Sequence, residues 1–237
     1  IGNAGFKRAL NSEYVDKTGL IAEINATLFT EKSFTCVSRC RRFGKSMAAK
    51  MLRAYYDCSC DSRTLFKGLE IEKHPSFEQH LNKYRVINLD INEFVMRYKR
   101  KEDIVDRIQK EIINDISDFY SEIPLSENDD LLLYLFRVAE KTGEKFIMII
   151  DEWDAICREF DSKSKAMKDY VDFLRLMFKS DKGQDIFAGV YMTGILPIKK
   201  QGTESSLNNF WEYSMTQPRS LAKYFGFTKA EVQALCE

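Results

Sequence analysis

The residues whose types and spacing carry the most chemistry are Gly44-Lys45-Ser46, set between an apolar run, Phe34–Ser38, and a stretch with helical spacing, Lys45–Tyr56. Strand, turn and helix in that order suit an anion. Backbone N–H groups of the turn and of the helix N-terminus converge on it, and the helix dipole favours it. In this reading Gly44 lets the backbone come close, Lys45 reaches the β- and γ-phosphates of a nucleotide, and the Ser46 hydroxyl binds Mg2+. Arg39, Cys40, Arg41, Arg42, Phe43 and Met47 complete the candidate nucleotide contacts. Arg39 stands where the general pattern G-x-x-x-x-G-K-S/T has its first glycine, a residue that permits a backbone turn most others resist. The three arginines read either as charge for a triphosphate or as solvated loop residues.

A second set of reactive groups follows the all-apolar run Phe146-Ile147-Met148-Ile149-Ile150, which ends directly in Asp151-Glu152. Adjacent carboxylates at the end of a buried strand are costly unless they face a cleft or a cation. Asp151 is therefore the candidate Mg2+ ligand, indirectly or through water, and Glu152 the candidate catalytic group that polarises an attacking water. The alternative is a strand running into an acidic solvent loop. Thr193, at the end of Ile186–Thr193 and followed by Gly194, is placed to sense a γ-phosphate from the neighbouring strand. Asp90 ends Val86–Asp90 and either contacts the site or starts a turn with Asn92.

These residues need a scaffold that gathers strand ends. Short aliphatic runs at Phe34–Ser38, Arg85–Asp90, Lys145–Asp151 and Ile186–Thr193 are the candidate strands. Helical spacing marks Gly19–Thr30, Lys45–Tyr56, Glu102–Tyr120, Asp130–Lys141 and Lys165–Ser180 between them. The alternation predicts βαβ units and a largely parallel sheet, an α/β fold whose strands are apolar throughout because both faces are covered. A weaker strand is expected near Trp211–Thr216, and Ser121–Asn128 reads as a plain connection. Lys229–Glu237 reads as a helix capped by Thr228, with Glu231 three residues on. It ends without a stop signal, so a truncated C-terminal segment is expected.

Lys plus Arg and Asp plus Glu balance at 36 each, so no global field draws the chain toward nucleic acid or anionic lipid. No apolar stretch approaches a membrane-spanning length, and the first residues lack the layout of a signal peptide, which makes the cytoplasm the expected location. Six cysteines in 237 residues are no disulfide framework. Cys36, Cys40, Cys58 and Cys60 lie close together but match no common zinc spacing. Arg97-Tyr98-Lys99-Arg100-Lys101 reads as a solvated charge run rather than a nucleic-acid patch, and His74 and His80 as surface residues.

Tyr14-Val15-Asp16-Lys17-Thr18, Ser38–Ser46 and Asp151-Glu152-Trp153-Asp154 resemble blocks of the AAA-ATPase-like proteins, a family widespread in gut and other bacteria. Thr193-Gly194, Leu207-Asn208-Asn209 and Gly226–Val232 follow in the family's order, so the resemblance covers nearly the whole chain. The family's loop reads Ser-Arg-Pro-Arg-Arg-Phe-Gly-Lys-Ser. Arg39 in place of glycine is thus its own habit, while Cys40 replaces a proline and Trp153 a tyrosine. The resemblance implies an ASCE-type P-loop NTPase fold, a parallel sheet of order 5-1-4-3-2 flanked by helices, with ATP as the nucleotide. It also implies a PD-(D/E)xK nuclease-like domain beyond Glu237, which nothing in this chain resembles. Asp16 and Lys17 either approach the adenine or ribose, or Asp16 caps Thr18–Thr30, the slightly favoured reading.

The expected division is a helical segment at 1–33 packed on the core, a P-loop ATPase core at 34–218, and the start of a further helical segment at 219–237. Three functions are in play: an ATP-binding and hydrolysing domain, Mg-dependent, that drives or gates an attached effector; a nucleotide-dependent switch with little turnover; and a nucleic-acid-binding module with a vestigial nucleotide site. Arg219 and Arg175 are positional candidates for an arginine finger, should the chain oligomerise.

Overall fold

Residues 2–98, 101–126, 129–198 and 207–236 of the chain are described by a computed structural model. One sheet contains β1 (Phe34–Ser38), β2 (Arg85–Asp90), β3 (Phe146–Asp151), β4 (Phe187–Gly194) and β5 (Trp211–Tyr213). Its order is β2-β3-β4-β1-β5 and every neighbouring pair runs parallel. Read from the opposite edge this is 5-1-4-3-2. The four longer strands lie within one residue of the apolar runs that predict them.

The helices are α1 (Ala4–Leu10), α2 (Gly19–Asn25), α3 (Lys45–Tyr56), α4 (Phe77–His80), α5 (Ile91–Arg97) and α6 (Ile104–Ser117) in the first half. Then come α7 (Leu131–Thr142), α8 (Ala155–Glu159), α9 (Lys165–Lys179), α10 (Asp181–Ile186) and α11 (Lys229–Cys236). The run in β3 is apolar throughout because its two faces enter different cores. Phe146, Met148 and Ile150 pack with Ile108 and Ile112 of α6, Leu135 of α7 and Phe178 of α9. Ile147 and Ile149 pack with Leu20 and Ile21 of α2 and Leu52 and Tyr55 of α3. Each such side chain contributes about 1.5–3 kcal/mol on burial, so a strand buried on both faces strongly anchors the acidic pair at its end.

Some helix ends differ from the sequence reading for local reasons. α2 stops at Asn25 rather than Thr30 because the Thr27 and Thr30 hydroxyls donate back to the carbonyls of Ile24 and Thr27. Phe29 then takes a φ of 61° and donates its N–H to the Ala188 carbonyl at 2.9 Å, tying the turn to β4. Helix α6 is shorter at both ends than Glu102–Tyr120. Ser180 closes α9 and caps α10, its hydroxyl accepting from the Gly183 N–H at 3.1 Å. The box at Thr228 forms as read: the Thr228 N–H donates to Glu231 Oε2 at 2.7 Å, and the Glu231 N–H to Thr228 Oγ1 at 3.3 Å.

His80 is a correction. Its ring is buried and bonds the Tyr84 hydroxyl through Nδ1 at 2.7 Å, whereas His74 is exposed. Burial lowers the His80 pKa below 6.5. The unfolded ring takes up a proton near 6.5 and the folded ring resists until lower pH. This contribution to stability is therefore full above about pH 6.5 and drains away as pH falls from there toward the depressed folded value. His80→Gln is expected to show a smaller drop in urea midpoint between pH 7.5 and pH 5 than the wild type; equal drops would remove His80 from the account.

Arg97 is occupied by Glu93 and by Glu111 at 2.7 Å, while Lys99 and Arg100 of that basic run lie outside the described residues, as do Glu127, Asn128 and Glu237. Cys36 is buried in the core, and no group of three or more His, Cys, Asp or Glu among the described residues is arranged to hold a metal ion. No helix among them is long and apolar enough to cross a membrane.

Candidate functional site

Parallel pairing aligns the strand ends. Ser38 of β1 lies beside Gly194 of β4, Val37 beside Thr193, and Asp90 of β2 beside Asp151 of β3. The carboxyl ends of four strands therefore share one end of the sheet, where open α/β folds form their crevice.

Between β1 and α3 the chain turns through left-handed backbone at Arg42, φ 69°, and Gly44, φ 81°. Arg39 is not among the positive-φ residues, so the loop asks for no glycine there. Its side chain takes neither role that the sequence offers for it. Nη1 donates to the Ser38 carbonyl at 3.1 Å and to the Tyr213 carbonyl of β5 at 2.7 Å, and the guanidinium lies 5.7 Å from the Phe225 ring. Arg39 is 3% exposed, and burial lowers its pKa. Arg41 and Arg42 are exposed, as is Cys40; Phe43 and Ser46 are half-buried.

From Cys40 to Met47 no backbone N–H donates a hydrogen bond among the described residues. The buried Lys45 ammonium donates at 2.9 Å to each of the Arg39 and Cys40 carbonyls. Burial pushes its pKa down, and the charges of Asp151, Glu152 and Asp154 oppose that push. The loop is thus a row of unsatisfied donors around one cation, the arrangement that accepts a polyanion.

The acidic side is braced from below. Asp151 Oδ1 accepts from the hydroxyl of the fully buried Thr193 and from the Glu152 N–H at 3.2 Å. Glu152 holds a φ of 51°, a left-handed conformation that non-glycine residues keep only when their surroundings impose it. Those surroundings are explicit: the Trp153 N–H donates to the Thr193 carbonyl at 2.9 Å, and the Tyr170 hydroxyl donates to the Trp153 carbonyl at 2.7 Å. The Glu152 carboxylate receives Arg158 Nη2 at 2.5 Å. Arg158 Nε is 3.2 Å from Asp154, whose fully buried carboxylate also accepts the N–H groups of Ile195 and Leu196. Asp90 caps α5, accepting from the Glu93 N–H at 3.1 Å. Burial, with the neighbouring charges of Asp151 and Glu152, raises its pKa against the opposing Glu93 bond.

Gly194 fits closely beneath this cluster. A Cβ there would come within 2.5 Å of Trp153 Nε1 and 2.9 Å of Asp154 Oδ1. Gly194→Ala is expected to destabilise the fold by about 1–3 kcal/mol, the usual cost of overpacking. Denaturant unfolding checks this, and an unchanged midpoint would contradict the close fit.

The model of the AAA-ATPase-like family, described as Predicted AAA-ATPase, matches residues 1–203. The chain belongs to this family. No curated protein matches the sequence. The matched span of this AAA-ATPase-like chain includes the loop, Asp151-Glu152 and Thr193, and stops before β5 and α11.

In this AAA-ATPase-like fold Asp16 sits at the entry to α2. Oδ1 accepts from the Thr18 N–H at 2.8 Å and from the Thr18 hydroxyl at 2.6 Å, and Oδ2 from the Glu70 N–H at 2.7 Å. That is the helix-entry role, extended to a second segment. Lys17 bonds Glu231 and the Lys223 carbonyl. Arg219 lies over the Trp211 ring at 5.3 Å, and Arg175 pairs with Asp172 on its own helix. The sequence alone assigns no role to Asp154 or Arg158. Their spacing of four residues across a helix start, directly after the acidic pair, is the available signal.

Proposed function

We propose that this domain binds Mg-ATP at Cys40–Met47 and hydrolyses it with Glu152 as catalytic base, and that turnover drives or gates an attached effector. The observation that carries the reading is the row of unpartnered N–H groups from Cys40 to Met47 closing on the Lys45 ammonium, set beside Asp151 and Glu152. The N–H groups would hold the phosphates while Lys45 exchanges its two carbonyls for β- and γ-phosphate oxygens. Ser46 and Asp151 supply a hydroxyl and a carboxylate, the hard oxygen donors that suit Mg2+ when substrate phosphates complete the set. Mg2+, when bound, supplies neutralisation of charge on those phosphates. Glu152 takes the proton of the attacking water, and Thr193 bridges Asp151 to the neighbouring strand. The choice of ATP rests on the family rather than on any contact. Calorimetric titration of Mg-ATP with phosphate release measured in parallel tests the reading; a folded chain that neither binds nor hydrolyses would overturn it.

The Arg158 ion pair to Glu152 favours a second reading, a nucleotide-dependent switch with little turnover. A carboxylate oxygen held by a guanidinium is not free to accept from an attacking water. Nucleotide that stays bound and unhydrolysed over many minutes would select the switch.

A further inference from the structure

β2 is an edge of the sheet: among the described residues its one neighbouring strand is β3. The backbone groups that it turns outward follow from the residue before it. Tyr84 forms a single parallel bridge with Asp57, its N–H donating to the Tyr56 carbonyl at 3.0 Å and its carbonyl accepting from the Cys58 N–H at 2.8 Å. Tyr84 thus faces away from β3, and every second residue after it does the same. Val86 and Asn88 are those residues. The chain at Cys58 departs after this one rung. Among the described residues nothing bonds the outward N–H and C=O groups of Val86 and Asn88.

A groove of about 390 Å3 runs along this edge, lined by each residue from Arg85 to Leu89. A cavity over one face of a sheet meets alternate residues of a strand, so one that meets successive residues lies against the backbone edge. The edge carries none of the usual guards against pairing: β2 has no proline or lysine, and its ladder with β3 runs from Arg85 to Asp90 without a bulge. We infer that this edge joins the same edge of a second copy of the chain, antiparallel about a two-fold axis at Asn88, so that the two sheets continue into one. This contact stands whether or not the loop binds nucleotide.

Charge selects a copy over other strands. Side chains alternate along β2, so Asn88 and Asp90 share the face on which Val86 packs against the core of α2 and α3. Arg53 of α3, one turn before the Asp57 bridge, lines the groove where β2 starts. No hydrogen bond or ion pair engages its guanidinium among the described residues, the buried Nε included. Asp90 lies at the other end of the strand, with one carboxylate oxygen capping α5. An antiparallel mate brings start and end together. With the axis at Asn88, the partner's Asp90 stands opposite Val86 on the face of Arg53, and the symmetry makes this cation–carboxylate match twice. Asn88 meets the partner's Asn88, and the two exchange both backbone hydrogen bonds through groups that otherwise lack protein partners. On the opposite wall the Phe119 ring is 57% exposed, with Arg85 over it at 4.1 Å, and is apolar surface that the copy would cover.

Sedimentation velocity of the full chain without nucleotide, over a dilution series from hundreds of micromolar to below one micromolar, tests the pairing. The wild type is expected to run as a dimer at the top of the series and to dissociate on dilution. Asn88→Pro is expected to stay monomeric throughout. The Asn88 N–H points away from β3, so the proline ring removes no ladder bond and the fold should persist, which circular dichroism checks. Asn88→Lys changes only an exposed side chain and sets two lysines face to face across the axis, so it too is expected to be monomeric. Arg53→Ala is expected to weaken the dimer about tenfold, the scale of two lost surface ion pairs. A wild type that is monomeric at every concentration would overturn the inference, as would Asn88→Pro and Asn88→Lys chains that dimerise like the wild type. Unchanged dimer affinity in Arg53→Ala would overturn the placing of the axis at Asn88.

Discussion

Lys45→Ala is expected to abolish saturable Mg-ATP binding in a calorimetric titration while the fold persists. Two charge-assisted bonds to phosphate oxygens at about 1.5–3 kcal/mol each correspond to roughly 10²–10⁴ in affinity. The fold is expected to survive because the ammonium is a poor stabiliser where it sits. Burial disfavours its charge, and its two partners are carbonyls of a loop whose Cys40 is exposed. The variant should therefore unfold within a few degrees of the wild type, which separates lost binding from lost structure. Binding at wild-type affinity by Lys45→Ala would place the nucleotide elsewhere.

Glu152→Gln is expected to cut phosphate release by about 10²–10⁴, the range for a positioned general base, with Mg-ATP affinity kept. Glutamine preserves the length of the side chain and can still accept from Arg158, and its backbone meets the same strain at φ 51° as the glutamate. The loss should thus lie in the chemical step, visible as a slowed single-turnover rate with the enzyme saturated. An unchanged rate would remove Glu152 from the mechanism.

Much of this arrangement is legible in the residues themselves. An uninterrupted apolar run such as Phe146–Ile150 suits a strand covered on both faces, so the carboxylates after it emerge at a sheet end. Gly44-Lys45-Ser46 between a strand and a long helix places the loop for the same kind of reason. The rest depends on contacts between distant segments. Whether Arg39 faces ligand or protein is decided by Tyr213 and Phe225, more than 170 residues away in sequence. His80 reads as polar in its local stretch and is buried because Tyr84 meets its ring. Asp154 gains its role from Arg158 together with the backbone of Ile195 and Leu196, which directly follow β4 some forty residues on. Helices α1 and α5 span only seven residues each, too little to show a clear helical period.

The burial of Arg39 changes the meaning of a substitution at that position. The residue is a strap between the start of the loop and β5, a three-residue strand that, among the described residues, pairs with β1 alone. Restoring the generic glycine would not repair the phosphate loop, because the backbone there makes no left-handed turn. It would cut the strap and free the sheet edge. A substitution at this place is therefore expected to act on edge closure before it acts on ligand binding. A pattern search that insists on glycine there rejects chains whose donors are all present.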